Sequence, residues 1–149
     1  MRALPTTALL NIAVILGTVV GGLVVLREGS ASGSDVCIAR HADEPPLQSL
    51  AVSAAEATGA LTMPLEPGVR YDLILSGAYV DDAHGHRSDG RYVLVDGLSI
   101  SSRASANRAY CLELVGFGKP LALAVRDLVY EDNKGSLRAD LYLVEGRGE

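Results

Sequence analysis

The densest group of polar side chains lies in one short segment, residues 81–89, which reads DDAHGHRSD. Two histidines, His84 and His86, stand close to Asp82 and offer imidazole nitrogens beside a carboxylate. Those are the donors that transition metals such as zinc take in proteins. The same composition is typical of a solvated surface loop. The segment therefore predicts either a metal-binding loop or a plain polar turn.

Other residues that could do chemistry are few. The chain has no Gly-x-Ser-x-Gly nucleophile turn, no His-Glu-x-x-His zinc helix, no phosphate-binding loop and no dinucleotide fingerprint. The third histidine, His41, lies near Asp43 and Glu44 and is expected at the surface. The sequence therefore favours binding or scaffolding, and we expect the protein not to be an enzyme.

Two longer stretches carry a recognisable pattern. Residues 64–79 read PLEPGVRYDLILSGAY, and residues 126–137 read RDLVYEDNKGSL. Together they resemble the galactophilic, calcium-dependent bacterial lectins and related galactose-binding-like β-sandwich domains, over residues 62–145. In that family a Pro-Gly turn and a strand precede a long variable loop, and an Asn-x-Gly-Ser turn leads into the last strand. The resemblance implies a jelly-roll-like sandwich that binds sugar through calcium.

The resemblance also implies a set of calcium ligands. Asp127, Asp132 and Asn133 match the family's side-chain ligands, and a backbone carbonyl near Asp81 completes the set. Calcium takes six to eight hard oxygen ligands, and a turn rich in Asp and Asn supplies several at once. A plain hairpin turn is the alternative for residues 132–135, because Asn and Gly satisfy turn geometry without a metal.

The elements that must position these residues have the periodicity of strands. Apolar residues recur at every second position in several short segments, which is typical of half-buried strands. These segments are residues 47–52, 71–75, 91–95, 110–114, 121–125 and 137–143. Turn-forming pairs such as Pro67-Gly68 and Asp96-Gly97 separate them. The pattern predicts an all-β fold, an antiparallel β-sandwich, with one helical turn at residues 53–58 as the only helical feature of the domain.

The N-terminal part of the sequence differs in kind from the rest. Residues 8–26 form a run of 19 residues without a charge. A helix of that length is about 28 Å long, which matches the hydrocarbon thickness of a bilayer. A cleaved signal peptide is the alternative, but its apolar run is usually shorter. We therefore predict a transmembrane helix in residues 1–27, a Gly/Ser-rich linker at 28–34 and the β-sandwich domain at 35–149.

Small residues recur at four-residue intervals within the predicted transmembrane helix. Ala13, Gly17 and Gly21 form one row, and Gly22 lies beside it, four residues after Thr18. A stripe of small side chains lets another helix backbone approach closely in a membrane. The stripe predicts packing against transmembrane helices of other membrane subunits.

The two cysteines, Cys37 and Cys111, are an even pair in a chain that looks exported, and we expect a disulfide between them. Two separately buried thiols are the alternative. Cys111 is out of phase with the inward-facing Tyr110 and Leu112. A bridge would therefore hold the segment after the linker against the outer face of a sheet.

The charge of the chain limits the classes of partner and the cellular location that we expect. The formal net charge is −5, which argues against nucleic acid and anionic lipid headgroups because both need a basic surface. An acidic domain also fits the basic-rich cytoplasmic side poorly. We therefore predict a single-pass membrane protein with its C-terminal domain in the periplasm or outside the cell.

Two classes of function remain from the sequence. The favoured one is a non-catalytic accessory subunit of a larger membrane protein complex, with its β-sandwich docked on the outer side. The alternative is a membrane-anchored carbohydrate-binding module, which would bind glycans with the help of Ca²⁺.

Overall fold

The computed structural model describes residues 31–100 and 107–144, with side chains from residue 35 onward. Within these ranges the chain forms one short helix and ten strands. Helix α1 spans Ala31–Arg40. The strands are β1 Gln48–Ser53, β2 Ala60–Leu61, β3 Arg70–Ser76, β4 Ala78–Val80, β5 Arg87–Asp89, β6 Val93–Val95, β7 Leu98–Ser99, β8 Tyr110–Val115, β9 Ala122–Val125 and β10 Ser136–Leu143. A 3-10 turn, Gly90–Tyr92, leads into β6.

Eight of these strands form two antiparallel sheets of four. One sheet has the order β1-β10-β3-β8 and the other has the order β2-β9-β6-β7. The hairpin of β4 and β5 forms a separate two-stranded ribbon. Side chains from both four-stranded sheets share one hydrophobic core, so the sheets pack face to face. The β-rich, antiparallel part of the sequence prediction is confirmed.

Alternation along the strands builds this core. In β3 the side chains of Tyr71, Leu73 and Leu75 belong to the core shared by the two sheets. Leu73 pairs in register with Leu141 on one side and Leu112 on the other, so the apolar faces of neighbouring strands align. Burying each such side chain contributes roughly 1.5–3 kcal/mol, and the summed burial holds the two sheets together.

The outer face of the β3 sheet is covered by α1. Cys37 of α1 forms a disulfide with Cys111 of β8, and their Cα atoms are 6.2 Å apart. Ile74 and Tyr142 complete a second, smaller buried cluster beneath the helix. Because β3 carries the shared core on its other face, residues 71–75 are buried on both faces of the sheet.

The structure contradicts the predicted membrane anchor. In the part of the chain that the structure describes, no helix is long and apolar enough to cross a bilayer. The helix that is present, α1, has 10 residues, which extend about 15 Å, or half of the hydrocarbon thickness. The predictions of a transmembrane helix in the fold and of a single-pass membrane location are therefore wrong. The apolar run and its row of small residues, Ala13, Gly17, Gly21 and Gly22, lie outside the described residues.

Two local predictions also differ from the structure. Helix α1 begins at Ala31, inside the segment 28–34 that the sequence indicates as a linker. Serine and glycine are poor helix formers, so contacts with the sheet, rather than local propensity, stabilise this helix. Residues 53–58 form no helix but leave β1 in a bend that ends at Gly59. Gly59 has a φ of +59°, and a Cβ there would lie 1.8 Å from the carbonyl oxygen of Leu123, so only glycine fits.

The shared core predicts a contrast between two leucines only five positions apart. Leu123 is fully buried, whereas 98% of Leu128 is exposed. Replacing Leu123 by alanine should lower the free energy of unfolding by about 2–5 kcal/mol, because it leaves a cavity between the sheets. The control Leu128→Ala should change it by less than about 0.5 kcal/mol. Urea unfolding of both variants measures the difference, and equal effects would contradict the core assignment.

Candidate functional site

A cleft of about 410 Å³ brings together residues from three parts of the chain. Its lining contains two tyrosines, two aspartates, an arginine and a leucine: Tyr79, Asp81, Tyr92, Arg126, Asp127 and Leu128. Concave sites with a few convergent polar groups are where proteins commonly bind small ligands. The cleft is therefore a candidate binding site in the described part of the chain.

Backbone pairing brings these segments into one place. Val93 pairs with Val125, and just beyond this pair the N–H of Arg126 donates to the carbonyl of Tyr92 at 2.6 Å. The loop that follows β9 returns to β4, where Val80 and Lys134 exchange two backbone hydrogen bonds of 2.9 Å. The side chains that line the cleft are thus held by a fixed backbone on both sides.

Asp127 is fixed by donors on its own loop. Its Oδ1 accepts the backbone N–H groups of Leu128 at 2.6 Å and Val129 at 3.2 Å. Burial raises the pKa of Asp127, but hydrogen bonds from the Asn133 amide and from these two N–H groups lower it, and the net pKa lies below the usual value. Asp127 is therefore a fixed anionic acceptor in the cleft.

Asp81 is the second carboxylate of the cleft and lies at the centre of a small polar array. It bonds to the Nδ1 of His86 at 2.7 Å and accepts the hydroxyl of Ser88. The serine hydroxyl is thus bonded to the carboxylate and not to the histidine. A histidine that activates a serine must itself take the serine proton. Here Ser88 bonds to Asp81 instead, so the arrangement does not activate Ser88 as a nucleophile.

The two carboxylates act on the buried phenol of Tyr79. Burial and the negative charge of Asp81 raise the pKa of Tyr79 from 10.0 to about 12, and Asp127 adds to the rise. A hydrogen bond with Ser88 acts in the opposite direction. This coupling indicates that both aspartates lie close to one ring and shape one electrostatic environment.

The loop between β4 and β5 gathers potential metal ligands beside the cleft. Ligand atoms of Asp81, Asp82 and His86 all lie within 4.8 Å of one another. His84, which the sequence also indicated, contributes its backbone N–H to Asp82, and its ring is not part of the group. The backbone N–H of His86 is the main cause of the lowered pKa of Asp82. The loop is thus a tight turn that offers three donors.

The structure gathers the predicted calcium ligands only in part. Asp81 and Asp127 share the cleft, and Asn133 is hydrogen-bonded to Asp127. Buried oxygens of Asp132 and Asn133, one on each residue, have no hydrogen-bond partner in the described part of the chain. However, Asp127 and Asp132 are in neither of the two groups of close metal-type ligands found among residues 35–100 and 107–144. The calcium site stays a prediction.

The second group lies under α1 and was missed in the sequence. It consists of Cys37, His41 and Asp72, whose ligand atoms lie within 4.8 Å of one another. The expectation that His41 lies at the surface is wrong, because only 4% of it is exposed. Its partner Asp72 is 31 positions away in the sequence, so the charged residues near His41 did not predict this contact. The sequence feature that could have indicated a buried polar contact is Asp72, an aspartate inside the otherwise apolar strand YDLIL.

The chain defines a small β-sandwich domain with an acidic, tyrosine-lined cleft. No protein family, no curated protein and no solved structure matches this chain. The resemblance to galactophilic lectins therefore stays a prediction that rests on the motifs in the sequence.

Burial and the nearby charge of Asp81 predict that Tyr79 loses its proton at an unusually high pH. Since its folded pKa of about 12 lies above the unfolded value of about 10, Tyr79 contributes stability below pH 10 that is lost as the pH rises to 12. Absorbance titration of the phenolates should show this late step, which Tyr79→Phe removes and Asp81→Asn shifts to lower pH. The control Asp140→Asn should act on Tyr142, whose pKa is raised by burial and then by Asp140, and leave the Tyr79 step unchanged. A late step insensitive to Asp81→Asn would contradict the geometry of the cleft.

Proposed function

We propose that this domain is a non-catalytic binding module that takes a carbohydrate in the cleft between Tyr79 and Asp127. The observation that carries the proposal is the lining of the cleft. Two fixed carboxylates and an arginine stand in one concave site with two tyrosines. This combination suits a ligand with many hydroxyl groups better than an apolar or an anionic one.

The polar groups supply hydrogen bonds to hydroxyls. The carboxylates of Asp81 and Asp127 accept hydrogen bonds, and the guanidinium of Arg126 donates them. Charge-assisted hydrogen bonds of this kind are stronger than neutral ones. A sugar, which carries donors and acceptors on adjacent carbons, can satisfy both kinds of group at once.

The ring of Tyr92 supplies the apolar part of the contact. Tyr92 is 41% exposed, and the Arg91 guanidinium lies 5.4 Å from the centre of its ring. An aromatic ring has an electron-rich face that attracts polarised C–H groups. The C–H face of a sugar ring fits such a surface while its hydroxyls reach the carboxylates.

We propose calcium as the cation that assists this binding. The support is the presence of predicted ligands at the cleft, Asp81 and Asp127, and the unpartnered oxygens of Asp132 and Asn133 in the described chain. When bound, calcium supplies coordination sites that sugar hydroxyls can occupy. Asp127 then keeps the loop ordered through its own backbone hydrogen bonds.

Glycan binding by the full chain tests the proposal. Asp127→Asn should weaken binding at least tenfold, because it removes a charged acceptor from the cleft. Asp43→Asn makes the same charge change at an exposed position outside the cleft lining and should bind as the wild type does. A glycan array followed by calorimetry, with calcium and with a chelator, measures both variants. No binding by the wild type, or equal loss in the two variants, would contradict the proposal.

A second candidate function is that of an accessory subunit that docks on a partner protein. The observation that favours it is the tip of the loop after β9, where Leu128 is 98% exposed and Val129 is 53% exposed. Apolar side chains this exposed beside a binding cleft are candidates for a protein contact. The two functions depend on different neighbouring side chains, Asp127 for the glycan and Leu128 for the partner, so single substitutions can separate them.

The docking function predicts loss of a partner without loss of the fold. Leu128→Asp should abolish co-purification of a stoichiometric partner from the native cell, while the urea midpoint stays unchanged. Leu61→Asp places the same charge on another exposed leucine, in β2, and should retain the partner. If the wild type is recovered alone, the docking function is wrong.

A further inference from the structure

Four side chains with metal-binding chemistry converge beneath helix α1. Cys37 lies on the helix, His41 directly follows it, and Asp72 and Cys111 lie on the outer face of the adjacent strands β3 and β8. All four residues are buried. This buried cluster is separate from the cleft and has no part in the proposed carbohydrate binding.

Three of the four donor atoms are already close to the spacing that a metal needs. Atoms of Cys37, His41 and Asp72 lie within 4.8 Å of one another, and Cys111 is joined to Cys37 by the disulfide. Zinc binds sulfur at about 2.3 Å and nitrogen or oxygen at about 2.0–2.2 Å, so its tetrahedral ligands are separated by about 3.3–3.8 Å. Shifts of about 1 Å would bring the atoms of Cys37, His41 and Asp72 to that geometry, and opening the disulfide would free the Cys111 sulfur to join them.

The buried carboxylate of Asp72 points to a missing ligand. Its Oδ2 receives the Nε2 of His41 at 2.8 Å and the Arg40 guanidinium at 3.1 Å. Its Oδ1 is buried and has no hydrogen-bond partner among the residues that the structure describes. A buried carboxylate oxygen without a partner is costly, and a cation in the cluster would satisfy it.

The surroundings of His41 match those of a metal-bound imidazole. Metal-binding histidines usually bond through the second ring nitrogen to a carboxylate, which fixes the orientation of the ring. The Nδ1 of His41 bonds to the Oε2 of Glu44 at 2.9 Å, and the ring stacks on Tyr142 with centroids 4.3 Å apart. The ring is thus held with its Nε2 directed into the cluster.

We propose that reduction of the Cys37–Cys111 disulfide converts this buried cluster into a zinc site formed by Cys37, His41, Asp72 and Cys111. Two thiolates, one imidazole and one carboxylate make a closed four-coordinate set of the kind that structural zinc takes. The thiolates and the carboxylate carry one negative charge more than zinc neutralises, and Arg40, bonded to Asp72, offsets it. The oxidised chain keeps α1 on the sheet by a covalent bond, and the reduced chain keeps it there by a metal.

The chemistry of the conversion balances with a phosphine as the reductant. The phosphine attacks one sulfur, the S–S bond breaks, and water then supplies the oxygen of the phosphine oxide. The two protons of that water go to the two sulfurs and give two thiols. Zinc binding releases these two protons, because the ligands are thiolates. A cellular dithiol achieves the same reduction by forming its own disulfide.

Cobalt(II) as a spectroscopic probe tests the site in the full chain. The phosphine-reduced protein should bind one equivalent of cobalt with a thiolate-to-cobalt charge-transfer band, and zinc should displace it. The oxidised protein should show no such band, even if cobalt binds the donors Asp81, Asp82 and His86 beside the cleft. Absence of the band after reduction would overturn the proposal.

Variants distinguish metal binding by the four-residue site from metal binding by the two free thiols alone. His41→Gln and Asp72→Asn should each weaken cobalt binding at least tenfold, whereas the control His86→Gln should leave it unchanged. Zinc should also raise the urea midpoint of the reduced wild type, because it binds the folded state. The urea midpoints of the oxidised variants show first that they fold. Binding that is insensitive to Asp72→Asn, or zinc that leaves the midpoint unchanged, would mean that unfolded thiols capture the metal and would overturn the proposal.

Discussion

Burial of strand β3 on both faces is the constraint on which the rest of the structure depends. Its inner residues, Tyr71, Leu73 and Leu75, join the core between the sheets, and its outer residues Asp72 and Ile74 lie under α1. The inner face is stabilised mainly by apolar burial, and the hydroxyl of Tyr71 also accepts the N–H of Glu66. The outer face includes a fully buried carboxylate, which must be matched by charged or polar partners. Arg40 at the end of α1 and His41 directly after it supply them, which is why a ten-residue helix of poor propensity has a fixed place.

The domain has two groups of polar donors in different places, one buried beneath α1 and one in the cleft. Beneath α1 the donors are buried, close together and held by packing from every side. At the cleft the donors lie on loops, and the backbone bonds of Arg126 and Lys134 hold those loops near the ends of β6 and β4. Groups on the first surface are shielded from solvent by α1 and the sheet. Groups on the second remain open to a ligand from solution.

The pKa values of the groups in the cleft depend on which neighbours donate hydrogen bonds and which carry negative charge. Asp127 is surrounded by backbone N–H groups and the Asn133 amide, so its charge is stabilised and its pKa is lowered despite partial burial. Tyr79 faces that charge and the charge of Asp81 from a buried position, so its pKa is raised. A cleft with fixed negative charge and neutral phenols suits recognition by hydrogen bonding, and the bonding of Ser88 to Asp81 rather than to His86 fits the same purpose.

The sequence by itself determined the longer strands such as β3, β8 and β10, because alternation gives each of them an apolar face. The short strands β2, β4, β5 and β7 lie outside the segments that the alternation predicts. It also indicated that Cys111 lies on the outer face, since it is out of phase with Tyr110 and Leu112. Only the tertiary structure decided that Asp72 and His41 meet, because their contact joins residues 31 positions apart across a helix and a sheet. It also decided which donors of residues 81–89 come together, since the turn directs the His84 backbone and the His86 ring toward different aspartates. Periodicity fixes which face a side chain takes, but distances between faces of different elements depend on how those elements pack.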